Sequence, residues 1–436
     1  MKKILSLLVF SAIILGLNPS RPGATENLQM MIDEATPGAT IQLEGKTYEG
    51  NLSIDKPLIL IGTDDTIIRG DATGNVISVH AEGVTIENLT VENSSMSRNS
   101  PEEYAAIKVY ENGNTLRHLT IQDSFHGIYL SQAHENTVDH VTVFGVGDGT
   151  IAAQGNGIHI YYSNNNYLSN NTIEGTRDGM YFDYANGNIS VNNQISRTRY
   201  GLHYMYSHRN EFKNNIFTLN TGGAAIMLSD ELKLENNQFI FNYGHRSFGL
   251  FLLDSNDNEI VNNTFYMNQR GLYMDQATRN MIRNNYIHQN QIGIEFWGSS
   301  NEQTFTENYI ADNTLPVITV GGMGINNVWS KDGIGNNWGS TFPLLDLDQD
   351  GIGDGSAVYQ SSLYELIEES ELTYFFLKSP AIAIYEKMNA LLNNTKVMFE
   401  DEYPLVGTQS KQSFIWPALL LIIGLTILFR KKLGKR

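Results

Sequence analysis

The chain has 436 residues, with 47 acidic against 29 basic side chains, a net charge of −18 and no cysteine. So acidic a balance speaks against nucleic-acid partners, which call for a basic surface. Without cysteine there is no disulfide framework and no lipid-modified cysteine, and any soft or borderline metal must be held by histidine, methionine or carboxylate.

The first residues read MKKILSLLVFSAIILGL, with Lys2 and Lys3 ahead of an apolar run from Ile4 to Leu17. This is the pattern of a secretory signal peptide, placed over 1–24, and it predicts an exported body. Residues 25–45 contain LQMMIDEATPGATIQL, which predicts a short amphipathic helix, a Pro-Gly turn and a first strand. A helix there would cover the bare first rung of a stacked β-fold.

Residues 46–328 form a repeat. Gly157, Gly179, Gly201 and Gly223 are 22 residues apart; Gly249 comes after 26, then Gly271 and Gly293 at 22 again. Thirteen residues after most of these glycines stands an asparagine pair, such as Asn170-Asn171, Asn192-Asn193 and Asn214-Asn215. A large apolar residue stands two positions later, as in Ile173, Ile195 and Phe217. A fixed period of short β-branched and aromatic strands with Asn-rich turns is one coil of a solenoid. The fold class expected is all-β, a parallel β-helix. Asparagine tolerates the left-handed turn geometry, and stacked asparagines can bond to the coils above and below.

Strand alternation then sorts the side chains. Residues one and three after the glycine (Leu202 and Tyr204, Ile158 and Ile160) are apolar and are expected inside. Residues two and four must face outward: Tyr129/Ser131, His159/Tyr161, Tyr181/Asp183, His203/Met205, Ala225/Met227, Phe251/Leu253, Tyr273/Asp275 and Glu295/Trp297. In GLHYMYSHRN, His203 and Met205 fall where neighbouring coils carry tyrosine and aspartate. They lie about 6.6 Å apart on one side of a strand, with Met227 stacked on Met205 about 4.8 Å away. Imidazole and thioether without cysteine form a soft donor set that suits Cu(I), so His203, Met205 and Met227 are the copper candidates. The plain alternative is that these side chains belong to an aromatic docking face. His159 is two coils from His203, about 9.6 Å, too far to share one ion. His126 and His245 are possible outer ligands. His134 and His208 take a turn position held elsewhere by Asn or Asp, and His118, His140 and His288 read as surface fillers.

Residues 329–410 are expected to form an irregular C-terminal cap and a membrane-proximal segment. Within them DLDQDGIGD places Asp346, Asp348, Asp350 and Asp354 at positions 1, 3, 5 and 9 of a calcium-type loop, with Gly351 at the sharp turn. Ala357 stands where the bidentate glutamate would be, so an acidic turn is the other reading. Asp275 and Glu295, diagonal on adjacent coils, have the separation of an inverting glycosidase pair, about 8 Å. They support an alternative function, a polysaccharide-binding or polysaccharide-cleaving β-helix of the cell surface. The apolar run at 414–429 predicts a transmembrane helix, and the basic tail at 430–436 a cytoplasmic end. The body would then be anchored at the outer face of the cell membrane.

The stretches RYGLHYMYS, AAIMLSD, FGLFLLDSNDN, NNVWSKDGIGNNW and DLDQDGIGD resemble the NosD family, exported maturation proteins of nitrous oxide reductase. The resemblance runs from Leu28 to Leu405. It implies a non-catalytic, right-handed parallel β-helix that works with an ABC transporter (the NosF ATPase and NosY permease) and the NosL copper chaperone. It also implies that the protein accepts or relays Cu(I) for the copper-sulfur centre of nitrous oxide reductase. The C-terminal anchor is extra relative to soluble members of the family.

Overall fold

The computed structural model describes residues 27–146, 151, 154–322 and 324–407. The expected signal peptide and transmembrane helix lie outside these residues. Among the described residues, no helix is long and apolar enough to cross a membrane.

The chain winds into a parallel β-solenoid of the right-handed type, of about 12 turns. Each turn contributes to three faces. One is a sheet of 12 six-residue or shorter strands in strict sequence order, from Leu52–Ile54 to Leu315–Val320. The other two faces merge where the long strands Thr85–Glu92 and Thr115–Gln122 run round their shared corner. The repeat period fixes this register: Leu202 pairs with Ala224, His203 with Ala225 and Met205 with Met227.

The glycine column is set by coil spacing. A Cβ on Gly179 would lie 2.3 Å from the Ile195 side chain and 2.5 Å from the Gly201 carbonyl oxygen. The apolar positions beside it are inside as expected: Leu202, Tyr204, Ile158 and Ile160 are fully buried. Phe217, Phe239 and Phe265 stack down the interior at 5.1 and 5.0 Å.

The two asparagines of each pair do different things. The first adopts left-handed backbone, with φ of 55°, 58° and 58° at Asn170, Asn192 and Asn214. The second is buried and builds a ladder. Asn193 donates its backbone and side-chain N–H to the Asn215 carbonyl at 2.9 and 3.0 Å. Asn215 in turn donates to Asn237 at 2.9 and 3.0 Å, and to the Ser190 carbonyl at 2.9 Å. The ladder ends at Asn336, whose backbone N–H donates to the buried Asp401 carboxylate at 2.7 Å.

Both ends are closed. Helix Leu28–Glu34, capped by the Asn27 side chain, buries Leu28 and Ile32. Its Gln29 amide mimics a strand, accepting from the Ser53 N–H at 2.8 Å and donating to the Ser53 carbonyl at 3.0 Å. The strand Thr40–Gln42, expected within the cap, already pairs with Ile59–Ile61 as part of the solenoid. At the other end Trp329, Trp338 and Phe399 pack together, with Trp338 and Phe399 stacked at 4.1 Å. An antiparallel pair, Ala357–Ser361 with Lys396–Asp401, brackets helices Leu363–Glu369 and Pro380–Leu391.

The ladder gives a contrast between neighbours. Asn215→Ala removes four side-chain bonds and strands a buried N–H and a buried carbonyl, at about 1–3 kcal/mol each. Asn214→Gly, at the exposed left-handed position, should stay within about 1 kcal/mol of wild type. Urea unfolding of both variants measures this; equal losses would refute the division of labour.

Candidate metal-handling face

On the 12-stranded face the second residue after each glycine forms one column. It runs Lys108, Tyr129, His159, Tyr181, His203, Ala225, Phe251, Tyr273, Glu295 in consecutive register. The rings follow one another without a break from Tyr129 to His203, with centroids 4.4, 4.8 and 4.5 Å apart, the first two pairs tilted and the last stacked. Ala225 ends this stack, and a second begins at Phe251 and Tyr273, 4.5 Å apart. The column at the fourth position runs Asp183, Met205, Met227, Leu253. Met227 is therefore level with the interruption, and Met205 with the ring just before it.

This column is less exposed than alternation alone predicts. His203, Met205, Met227, Tyr181 and Tyr273 are half-buried, as an outward face requires. Tyr129, His159, Ala225 and Glu295 are buried instead. Ring on ring covers the first two, and the C-terminal cap covers the last.

His203 is oriented by its surroundings. Its Nδ1 lies 3.0 Å from Oδ2 of Asp178, which Arg199 holds through two further bonds of 2.8 and 2.5 Å. Burial would raise the Asp178 carboxyl, but the bonds from His203 and Arg199 outweigh it and hold it at about 2. An ionised carboxylate only accepts, so the hydrogen of neutral His203 sits on Nδ1 and Nε2 keeps its lone pair. Carboxylate–histidine support of this kind is how metal-binding imidazoles are commonly fixed. Sequence reading missed Asp178; its position just before Gly179, two residues ahead of the Met180 rung, was the available signal.

The family described as "Periplasmic copper-binding protein (NosD)" matches residues 146–342. The matched stretch, just under half of the chain, is similar to the NosD family. It includes His159, His203, Met205 and Met227. A probable ABC transporter binding protein NosD of Pseudomonas aeruginosa is 26% identical over 162 residues, a match spanning 35% of each chain, so about a third of that relative's length. Among solved structures, the A-module of the Azotobacter vinelandii mannuronan C-5 epimerase AlgE6 has a TM-score of 0.53 at 12% identity, covering 70% of this chain and 94% of that one. The catalytic domain of a GH87 alpha-1,3-glucanase reaches 0.56 at 14% identity, covering 69% and 65%. A mannuronic acid-specific family 6 polysaccharide lyase from human gut microbiota reaches 0.55 at 12%, covering 75% and 87%. At these identities the likeness is one of fold.

Further along the same face lies a second histidine group. His126, in the strand His126–Ser131, is buried beside His159, and with Glu103 they offer ligand atoms all within 4.8 Å of one another. Nε2 of His126 and both nitrogens of His159 are buried without a hydrogen-bond partner. Nδ1 of His126 accepts from the Asn156 amide at 2.9 Å, so the neutral ring carries its hydrogen on Nε2. As placed, that nitrogen is a donor and only His159 and Glu103 present lone pairs. This separates the group from the His203 arrangement. His245 is exposed.

The remaining histidines divide cleanly. Nδ1 of His134 and of His208 each accepts a backbone N–H of the next coil at 3.0 Å, the work an Asn or Asp oxygen does elsewhere. His288, expected at the surface, is buried and stacked on Tyr266 at 4.4 Å. Its position after Ile287 places it at a corner where a neighbouring tyrosine covers it.

The glycosidase-like pair does not survive the structure as a pair of free carboxyls. Glu295 is buried; Arg270 donates to it at 2.8 Å, and the Tyr374 hydroxyl donates at 2.9 Å. Asp275 is turned to Ser299, 3.1 Å away. Arg270, Glu295 and Tyr374 line a cavity of about 520 Å³ with Tyr273 and Trp297. In the acidic loop, Asp346, Asp348 and Asp350 bring oxygens within 4.8 Å of one another, and Gly351 turns at φ 87° as expected. Asp354 is not among these three; its Oδ2 accepts from the Leu347 N–H at 2.8 Å. Three carboxylates make a hard oxygen set, which fits calcium.

The buried histidines make stability depend on pH. Burial first, then Lys108 and Arg177, push His126 down to about 3; burial pushes His288 to about 4 and His159 well below its usual value. Each is neutral when folded and takes up a proton on unfolding below about 6.5. Their contribution is complete above that pH and is lost as pH falls. Each steepens the decline by up to about 1.4 kcal/mol per pH unit. Urea melts from pH 7.5 to 5 should show this slope, and His159→Phe should reduce it by one proton.

Proposed function

We propose that this chain is an exported accessory protein that accepts Cu(I) at His203, Met205 and Met227. It would relay the ion for assembly of the copper-sulfur centre of nitrous oxide reductase. The observation that carries this reading is the Asp178-oriented imidazole of His203 beside two register-paired thioethers, inside the NosD match. A neutral imidazole and two sulfurs match a soft monovalent ion. Partial exposure leaves the ion exchangeable, as a relay needs. In this reading the protein makes and breaks no covalent bond.

The name of the Pseudomonas relative supports an ABC transporter as partner. We assign the transporter subunits to a NosF-type ATPase and a NosY-type permease, with a NosL-type chaperone as copper donor. The body lies at the extracytoplasmic face of the cell membrane, tethered by 414–429. Asp346, Asp348 and Asp350 hold a calcium ion that stiffens the end cap.

Competition with a chromophoric Cu(I) chelator tests the copper site. His203→Ala and the double change Met205→Leu with Met227→Leu should each weaken Cu(I) binding roughly tenfold or more, and Asp178→Asn by roughly 10- to 100-fold. His245→Ala should leave it unchanged. Wild-type affinity in His203→Ala would overturn the assignment. For the cap, a calcium chelator should lower the melting temperature of wild type and leave Asp348→Asn unmoved.

A further inference from the structure

The corner between the two merged faces obeys one rule. Its residue adopts left-handed backbone, and it is asparagine at Asn88 and in every coil from Asn170 to Asn284. Between Asn88 and Asn170 two consecutive coils carry histidine instead. His118 (φ 52°) and His140 (φ 51°) take this position, one directly above the other. Histidine tolerates the geometry, but the geometry does not call for it, since asparagine serves on both sides of the pair.

Both histidines are exposed, and their rings stack at 4.9 Å with 29° between planes. Asp139, at the end of its strand, adjoins His140, and the three residues offer ligand atoms all within 4.8 Å of one another. Asp139 is itself fixed. One oxygen accepts from the Ser169 hydroxyl at 2.5 Å and the Asn170 amide at 2.8 Å; the other lies 2.8 Å from Nδ1 of His140. The carboxylate therefore keeps the His140 hydrogen on Nδ1 and leaves the Nε2 lone pair facing outward. This is the support that Asp178 gives His203, built a second time on another face of the solenoid.

We propose that His118 and His140 form a surface site for a divalent transition ion of borderline character, Zn2+ or Cu2+, with Asp139 as the positioning residue. Nitrogen and oxygen donors without sulfur select that class over Cu(I). Ligand bonds of about 2.0–2.1 Å need the two imidazole nitrogens closer than they now stand, a movement open to exposed rings. The remaining coordination positions face solvent, so the ion can be exchanged or shared with a ligand from outside. The site lies before residue 146, outside the NosD match, and is independent of the Cu(I) reading.

The repeat supplies its own clean variants, because His118→Asn and His140→Asn restore the residue that adjacent coils use. Calorimetric titration of the full chain with Zn2+, together with circular dichroism, is the test. Each variant should keep the wild-type spectrum and melting temperature and lose one equivalent of Zn2+ that His203→Ala retains. Asp139→Asn should keep the equivalent but weaken it roughly 10- to 100-fold, and Asp139→Glu should recover part of the loss. Anomalous scattering at the zinc edge should place the ion between the two rings. An unchanged Zn2+ stoichiometry in His118→Asn and His140→Asn, or zinc density elsewhere only, overturns the proposal.

Discussion

The buried asparagine ladder is the constraint on which everything else rests. A solenoid coil must turn sharply several times, and each turn leaves backbone N–H and C=O groups with no strand partner in a dry interior, where an unpaired group costs about 1–3 kcal/mol. Asparagine answers with one oxygen and two N–H groups per coil. Asn193, Asn215, Asn237 and Asn263 each accept from the coil before and donate to the coil after. The arrangement works only if successive coils stay in register. That registration is what places His203 opposite Tyr181, and Met205 opposite Met227, without any local device at the site.

Ladder logic also explains why the stripe is a mixture of stacked rings and isolated donors. In a parallel in-register sheet each side chain meets its own position one rung away, so a ring invites a ring. The stack from Tyr129 to His203 buries two of its members, and burial forces the His159 imidazole to stay neutral. Where the rule is broken by Ala225, the stack stops and the two methionines stand beside a ring whose Nε2 remains available. A soft-donor group thus arises at a discontinuity in an otherwise self-covering column.

Much of this was legible in the residues themselves. The glycine spacing gave the coil, and the apolar choice at Leu202 and Tyr204 gave the phase, because period and burial are both local properties of a repeat. Both uses of the asparagine pair, turn and ladder, were legible in its chemistry. Less legible was anything contributed by another coil or by the cap. Asp178 supports His203 from one rung away, and no single coil contains that relation. Tyr374 reaches Glu295 across 79 positions of sequence, so a carboxylate that looks outward on its strand is buried in the fold. His159 looked exposed by alternation and is covered by its neighbours in the column. In each case the period told which way a side chain points, and a distant segment decided what it meets there.

The ladder has a direction, and this gives the C-terminal cap its part. Each asparagine donates its backbone N–H and one side-chain N–H towards the later coil, so the last member, Asn336, is left with N–H groups that no further coil can take. Asp401 accepts them, together with the Trp338 indole N–H at 2.9 Å. Burial raises the Asp401 carboxyl, while the bonds from Asn336, Trp338 and Tyr403 act against it. The same cap sends Tyr374 onto Glu295 and so closes the far end of the 12-stranded face. One segment therefore terminates the interior hydrogen-bond chain and sets where the outward column stops being accessible. Because the solenoid transmits register from coil to coil, the fixed point at Asp401 and the anchor at Gln29 define the frame within which His203 and its methionines are held level.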